Sequence, residues 1–243
     1  MAAKKKDLIA QLQKKILPLQ GCKLIVNGIA VDTGLGIINH AFSNAIFPLG
    51  AVHEFIAEGA EDTAATTGFI GGVLGSLMQN GGAAIWISGS KTIFPPALQS
   101  FGIAPDKIIF IDLHKEKEML WAMEEALKCE GLAAVIGEIP DISFTTSRRL
   151  QLAVEQSQVT GFILRCKPRN LNTTACVTRW KITHLPTELP AGMPGVGFPR
   201  WNVDLLKVRN GKPGSWQMEF VAGRFRQTTR LTVVHQDQQK KAG

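Results

Sequence analysis

The chain has 243 residues, 45% of them apolar and 19% charged, which is the composition of one large folded domain with short appendages and excludes a disordered protein. No apolar run reaches the roughly 18 residues that a membrane span needs, so a spanning protein is excluded as well. The net charge of +7 is unevenly placed: residues 141–230 hold 14 Lys and Arg against 5 Asp and Glu, a local +9 that leaves −2 for the remainder. A basic half of this kind fits a nucleic-acid face as well as an ordinary solvated surface.

Residues 4–17 have the spacing of a helix, with Leu8, Ile9, Leu12 and Ile16 on one side, Lys4 to Lys6, Lys14 and Lys15 around it, and Pro18 closing it. Charges interrupt its apolar residues, so it is not a secretory leader, and the chain is expected in the cytoplasm. Residues 1–20 are thus a basic amphipathic appendage. The stripe Leu8, Leu12 and Ile16 must dock either on the body of the protein or on a partner, and a role in self-association is expected. Leu24-Ile25-Val26 is a candidate strand in the lead-in that follows.

Gly50 to Leu77 is the most informative stretch. Val52, Phe55 and Ile56 read as a strand, and Phe69, Val73, Leu74 and Leu77 as the apolar face of a helix. Between them Gly59 to Thr67 has the layout of a phosphate-binding loop, Gly-x-x-x-x-Gly-Lys-[Ser/Thr]. Gly59 and Thr66 fit that pattern and Thr67 follows it, but Ala64 replaces its second Gly and Ala65 its Lys. The loop lysine neutralises the outer phosphates, whereas Glu58, Glu61 and Asp62 bring negative charge to the same place. The frame of a nucleotide site is legible and its chemistry is not.

Strand and helix then alternate. Ala83 to Ser88 is a continuously apolar strand, as a sheet buried on both faces requires. A helix from Phe94-Pro95-Pro96 to Phe101 ends at Gly102, and Lys107 to Asp112 is a strand. Glu116 to Cys129 is a helix with Met119, Leu120, Met123 and Leu127 on one face, and Leu132 to Ile136 a strand. Thr146 or Ser147 caps a helix over 148–158, and Gly161 to Leu164 is a strand. This alternation predicts an α/β fold, a mostly parallel sheet flanked by helices. After a polar loop at 167–174, strands at 175–183, 201–209 and 215–220 follow, the last two joined by Asn210-Gly211-Lys212-Pro213-Gly214, so antiparallel strands close the sheet. Residues 21–230 are one domain and 231–243 a polar, disordered tail. Cys22, Cys129, Cys166 and Cys176 form no close pair and the five His are scattered, which indicates neither a disulfide framework nor a metal site.

The order of elements resembles the RecA recombinase core. More closely, FPPALQSFGI, LWAMEEALKCEGLAAVIGE, FTTSRRLQLAVEQSQVTGFILR, TACVTRW, GMPGVGFPRWNVDLLKVRNGKPGSW and VAGRFR resemble the ImuA family, RecA-like accessory proteins of a bacterial translesion-synthesis mutasome. The likeness spans residues 45–226. It implies a RecA-like domain that bridges single-stranded DNA or a recombinase filament and a polymerase-like subunit, with self-association open. The enzymatic features of recombinases do not carry over. Ser88-Gly89-Ser90 stands where they have a catalytic Glu, Gly137 where they have a metal-linked Asp, and Arg165 where a Gln senses the phosphate. Only Glu138, one place along, is a remnant of the metal carboxylate. The resemblance therefore implies no catalytic residues, no metal and no required cofactor, with weak ATP binding left open. The binding side carries over better. The loop after the fifth strand lies along DNA in recombinases, which puts Arg165, Lys167, Arg169, Arg179 and Lys181 on a DNA face, with Arg148 and Arg149 beside it and Trp180 among them. Lys207 and Arg209 are assigned to partner contacts. Two other functions stay open on the same likeness, a RecA-fold cell-division inhibitor and a working DNA-dependent ATPase.

Overall fold

The computed structural model describes residues 32–79, 81–90, 93–188 and 195–228. The expected helix at 4–17, the candidate strand at 24–26 and the tail at 231–243 lie outside them. Among the described residues a single sheet of nine strands forms the frame: β1 (Val52–Ala57), β2 (Ala83–Ser88), β3 (Ile108–Asp112), β4 (Leu132–Glu138), β5 (Thr160–Cys166), β6 (Thr178–Leu185), β7 (Arg200–Val208), β8 (Gly214–Val221) and β9 (Arg224–Gln227). Among the described residues three α-helices pack on it: α1 (Ala60–Met78), α2 (Glu116–Leu127) and α3 (Phe144–Ser157). The strand order is β3-β2-β4-β5-β1-β6-β7-β8-β9. Every pair from β3 to β6 is parallel, and β6-β7, β7-β8 and β8-β9 are antiparallel. This is the expected fold class. The antiparallel part begins one strand later than the change in sequence pattern suggests, because β6 joins β1 in parallel before the chain reverses.

β1 is central and buried along its whole length, so its two polar residues, His53 and Glu54, must find their partners inside the protein. On one side α1 lays Phe69, Ile70, Val73 and Leu74 on Phe55, Phe162, Trp180 and Trp201. On the other, α2 and α3 lay Met123, Leu127, Leu150 and Val154 on Val52, Val135 and Ile163. Glycines on α1 set how closely its neighbours approach. A Cβ on Gly75 would overlap the Phe101 carbonyl oxygen, and one on Gly72 would come to 2.6 Å from the Phe225 ring. The helix can therefore seat both the Pro95–Phe101 turn and the β8–β9 hairpin directly against its backbone.

Local differences from the sequence expectation have local causes. Ser143 caps α3 by accepting the Thr146 N–H at 3.1 Å, so the helix starts at Phe144, ahead of the later hydroxyls that also read as caps. Residues 95–101 form a 3-10 turn that closes on Gly102 in the left-handed region at φ 76°. β9 is four residues long, too short to show an alternating pattern.

Candidate functional site

The strand–helix junction after β1 differs from a phosphate loop in backbone as well as in side chains. α1 begins at Ala60, so Ala64, Ala65, Thr66 and Thr67 already lie in helix, and only Glu58 and Gly59 separate it from β1. The Thr63 N–H and the Thr63 hydroxyl both bond the Gly59 carbonyl, at 3.0 and 2.8 Å, which closes the first turn where a phosphate would have to be wrapped. Gly59 is extended at φ −129°, a conformation open to any residue. Thr66 is fully buried and is not part of the lining of the adjoining trough.

That trough runs across the carboxyl ends of the parallel strands, between α1, the 95–101 turn and the start of β7. Its volume is approximately 1180 Å³ and its lining is mainly apolar, including Ala64, Ala65, Phe94, Phe101, Leu185 and Trp201. Its charged lining is mostly acidic: Glu61, Glu116 and Glu138 against Arg200, which is itself ion-paired with Glu188. Glu138 does stand here at the end of β4. Its oxygens accept hydrogen bonds from Trp86 Nε1 at 2.9 Å, Ser88 Oγ at 2.7 Å and Ser90 Oγ at 3.2 Å. A carboxylate so supplied with neutral donors, beside an apolar wall and without a loop lysine, does not fit a magnesium triphosphate.

The basic residues divide into two groups. Four anchor the 167–177 loop from beneath. Arg165 is fully buried: Nη1 meets Glu54 at 2.6 Å, Nη2 donates to the Asn170 carbonyl at 2.6 Å and to Asp141 at 3.3 Å, and Nε donates to the Pro140 carbonyl at 2.9 Å. Arg179 pairs with Glu54 at 2.7 Å and donates to the Asn172 carbonyl at 2.5 Å. Lys207 donates to the Thr174 carbonyl at 2.7 Å and Arg209 to the Ala175 carbonyl at 3.0 Å. The expectation that Arg165 and Arg179 face DNA is corrected here, because their guanidinium groups are turned inward to satisfy loop carbonyls and Glu54. Lys207 and Arg209, expected at partner contacts, each commit a donor to the loop while remaining partly exposed. Burial lowers the affinity of the Lys207 amine for its proton.

The second group faces solvent. Lys167 sits at φ 50° at the start of the loop. Arg169 is 89% exposed, its side chain 3.9 Å from Asp141. Arg148 and Arg149 lie on the first turns of α3, near Glu155 at 3.7 Å and Glu124 at 2.5 Å. The Ala175 N–H bonds Ser147 Oγ at 2.9 Å, which ties the loop to this end of α3 and brings the exposed cations to one side of the molecule. Lys181 pairs with Glu58 at 2.9 Å at the trough side and stands apart from them. Trp180 is core: it is fully buried and stacks on Phe55 with ring centroids 6.1 Å apart. Leu8, Leu12 and Ile16 lie outside the described residues.

Glu54 was not singled out from the sequence, although one acid inside the apolar strand Val52–Ala57 is a signal for a buried cation. It also accepts the Thr174 hydroxyl at 2.9 Å. Its neighbour His53 carries a second buried network. Trp180 Nε1 donates to Thr178 Oγ1 at 2.7 Å, the Thr178 hydroxyl meets His53 Nδ1 at 2.7 Å, and His53 Nε2 meets the Pro48 carbonyl at 2.8 Å. The carbonyl can only accept, so Nε2 holds the proton and Nδ1 accepts. Burial lowers the His53 pKa to about 3, which keeps the ring neutral. Among the described residues no group of three or more His, Cys, Asp and Glu could hold a metal ion, and no helix is long and apolar enough to cross a membrane.

No protein-family model matches the chain. Over 194 residues, 75% of its length, it is 33% identical to Protein ImuA of Caulobacter vibrioides, of which the match covers 80%. Over 106 residues, 42% of its length, it is 30% identical to the cell division inhibitor SulA of Photorhabdus laumondii, of which the match covers 60%. Among solved structures it is similar to the RadB recombinase, with a TM-score of 0.56 over 82% of this chain and all of that one, at 13% identity, a likeness of fold alone.

Proposed function

Because this chain belongs to the ImuA family, we propose that it is a non-catalytic, RecA-like accessory protein of DNA-damage tolerance, a subunit of an error-prone translesion-synthesis assembly. The observation that carries the non-catalytic part is the start of α1 at Ala60, with Ala65 where a phosphate-binding lysine would stand. Helix has replaced the loop, so from Thr63 onward the N–H groups that would wrap a triphosphate are committed to the helical ladder, and the free ones before it lie beside Glu61 and Asp62. In this reading the protein works by contact. Its exposed cations Lys167, Arg169, Arg148 and Arg149 meet single-stranded DNA or a DNA-bound recombinase, and another surface meets a polymerase-like subunit. The inward straps from Arg165, Arg179, Lys207 and Arg209 support this, since a loop held by its own carbonyls presents its cations without first having to order.

The match to the division inhibitor favours a second reading, in which the same fold blocks cell division and has no use for DNA. Affinity capture of the tagged protein from DNA-damaged cells separates the two. Recovery of a polymerase subunit with DNA-dependent retention is expected, and recovery of a division protein in its place would transfer the proposal to the second reading.

A further inference from the structure

The trough at the strand ends suits a peptide better than a small ligand. Its approximately 1180 Å³ exceeds the roughly 300–1,000 Å³ usual for a small-molecule pocket. Phe94 stands in its wall 68% exposed, and Ala64, Ala65, Phe101 and Trp201 continue the apolar surface inward. Contiguous apolar surface of this kind, bordered by charge, marks a contact site. The charge around it is mostly acidic, from Glu61, Glu116 and Glu138 against Arg200, which Glu188 already pairs.

The complement of such a site is a row of apolar side chains at helical spacing with cations on either side. Residues 4–16 of this chain have that pattern: Leu8, Leu12 and Ile16 at i, i+4 and i+8, with Lys4, Lys5, Lys6, Lys14 and Lys15 against the single acid Asp7. We propose that residues 4–17 dock into the trough of their own chain, placing Leu8, Leu12 and Ile16 on the Ala64–Trp201 surface and the lysines beside Glu61 and Glu116.

The reach is sufficient. Gly34, close to the start of the described chain, lies against Ser76 near the far end of α1. At 1.5 Å per residue Ser76 is about 12 Å along the helix from Gly68, which lines the trough. Residues 18–31 span up to roughly 46 Å when extended. A connection of that length gives an effective concentration on the order of millimolar, so docking within one chain outcompetes docking between copies at ordinary protein concentrations. Neither the adaptor reading nor the division reading is needed for this inference.

The test uses the full-length protein with the photoreactive amino acid benzoylphenylalanine at position 12. Equal amounts of heavy-isotope-labelled and unlabelled protein are mixed, irradiated at two concentrations differing roughly a hundredfold, and the cross-linked peptides identified by mass spectrometry. Cross-links to residues 60–68, 93–101 or 195–201 are expected, within a single isotopic form and at a yield independent of concentration. Ala64→Lys, at an exposed position of the trough wall, should reduce that yield about tenfold by like-charge repulsion while lowering the circular-dichroism melt by only the roughly 3–6 °C that losing a tenfold-favoured contact costs a chain of this size. Cross-links to any other surface, cross-links joining the two isotopic forms, no cross-link, or an Ala64→Lys yield equal to the parent's would each overturn the proposal.

Discussion

Glu54→Gln isolates the contribution of the buried network beneath the 167–177 loop. The substitution keeps the shape of the side chain and removes its charge, leaving the Arg165 guanidinium without its fully buried partner. Breaking a buried ion pair from one side costs about 3–5 kcal/mol. Asp141, about one-third exposed and 3.3 Å from Arg165, offsets part of the loss, which points to the lower end, about 3 kcal/mol. For a chain of this size that corresponds to a fall of roughly 6–12 °C in Tm. The loop should loosen together with the core, because Arg165 and Arg179 both hold loop carbonyls from positions that Glu54 fixes. Urea unfolding gives the stability, and limited trypsin digestion after Arg169 reports the loop, since Pro168 blocks cleavage after Lys167. Replacing the two fully buried partners, Glu54→Leu with Arg165→Met, should restore part of the stability, less the contribution of Arg179 and Thr174, which still lose Glu54. It should not restore the resistance to trypsin, since the bond to the Asn170 carbonyl is still lost. A Glu54→Gln protein within about 1 kcal/mol of the parent, with unchanged loop cleavage, would refute the reasoning.

Three further outcomes are expected. His53 has its folded pKa lowered, so its contribution to stability is complete above pH 6.5 and is lost as pH falls toward about 3; urea melts should show about 2 kcal/mol of it gone at pH 5, and His53→Gln should flatten the pH dependence by about one proton. Gly75→Ala should destabilise by about 2–3 kcal/mol or more, because the Phe101 carbonyl is backbone and cannot step aside, whereas Gly59→Ala, with nothing within 4 Å of the added carbon, should melt like the parent. Changing Lys167 and Arg169 together to Ala should weaken single-stranded DNA binding and lower the slope of log affinity against log salt by about 1.4; fluorescence anisotropy should show much less change for Lys115 and Lys117 together, and equal losses would mean that the attraction is diffuse.

The sheet was legible because strands buried on both faces leave unbroken apolar runs, as at Ala83 to Ser88, and because Gly and Pro punctuate them. The sequence pattern does not distinguish how a strand pairs, so the parallel seating of β6 against β1 could not be read from it. The candidate site was harder. Spacing identified where a phosphate loop belongs but not that the segment is helix from Ala60, since Ala-rich residues at 60–65 are as compatible with helix as with a worn loop. Basic residues near a loop cannot be sorted by sequence into those that face solvent and those that hold the loop. The sorting depends on Glu54, whose partners Arg165 and Arg179 lie more than a hundred residues away.

The replacement of the phosphate loop by helix is tested most directly by steady-state phosphate release from ATP, with and without single-stranded DNA, on the purified full-length protein. We expect no turnover above the uncatalysed background in either condition, and the same result for Gly59→Ala. DNA-stimulated turnover on the order of 1 per second, as ordinary enzymes show, and its loss in Gly59→Ala would contradict it.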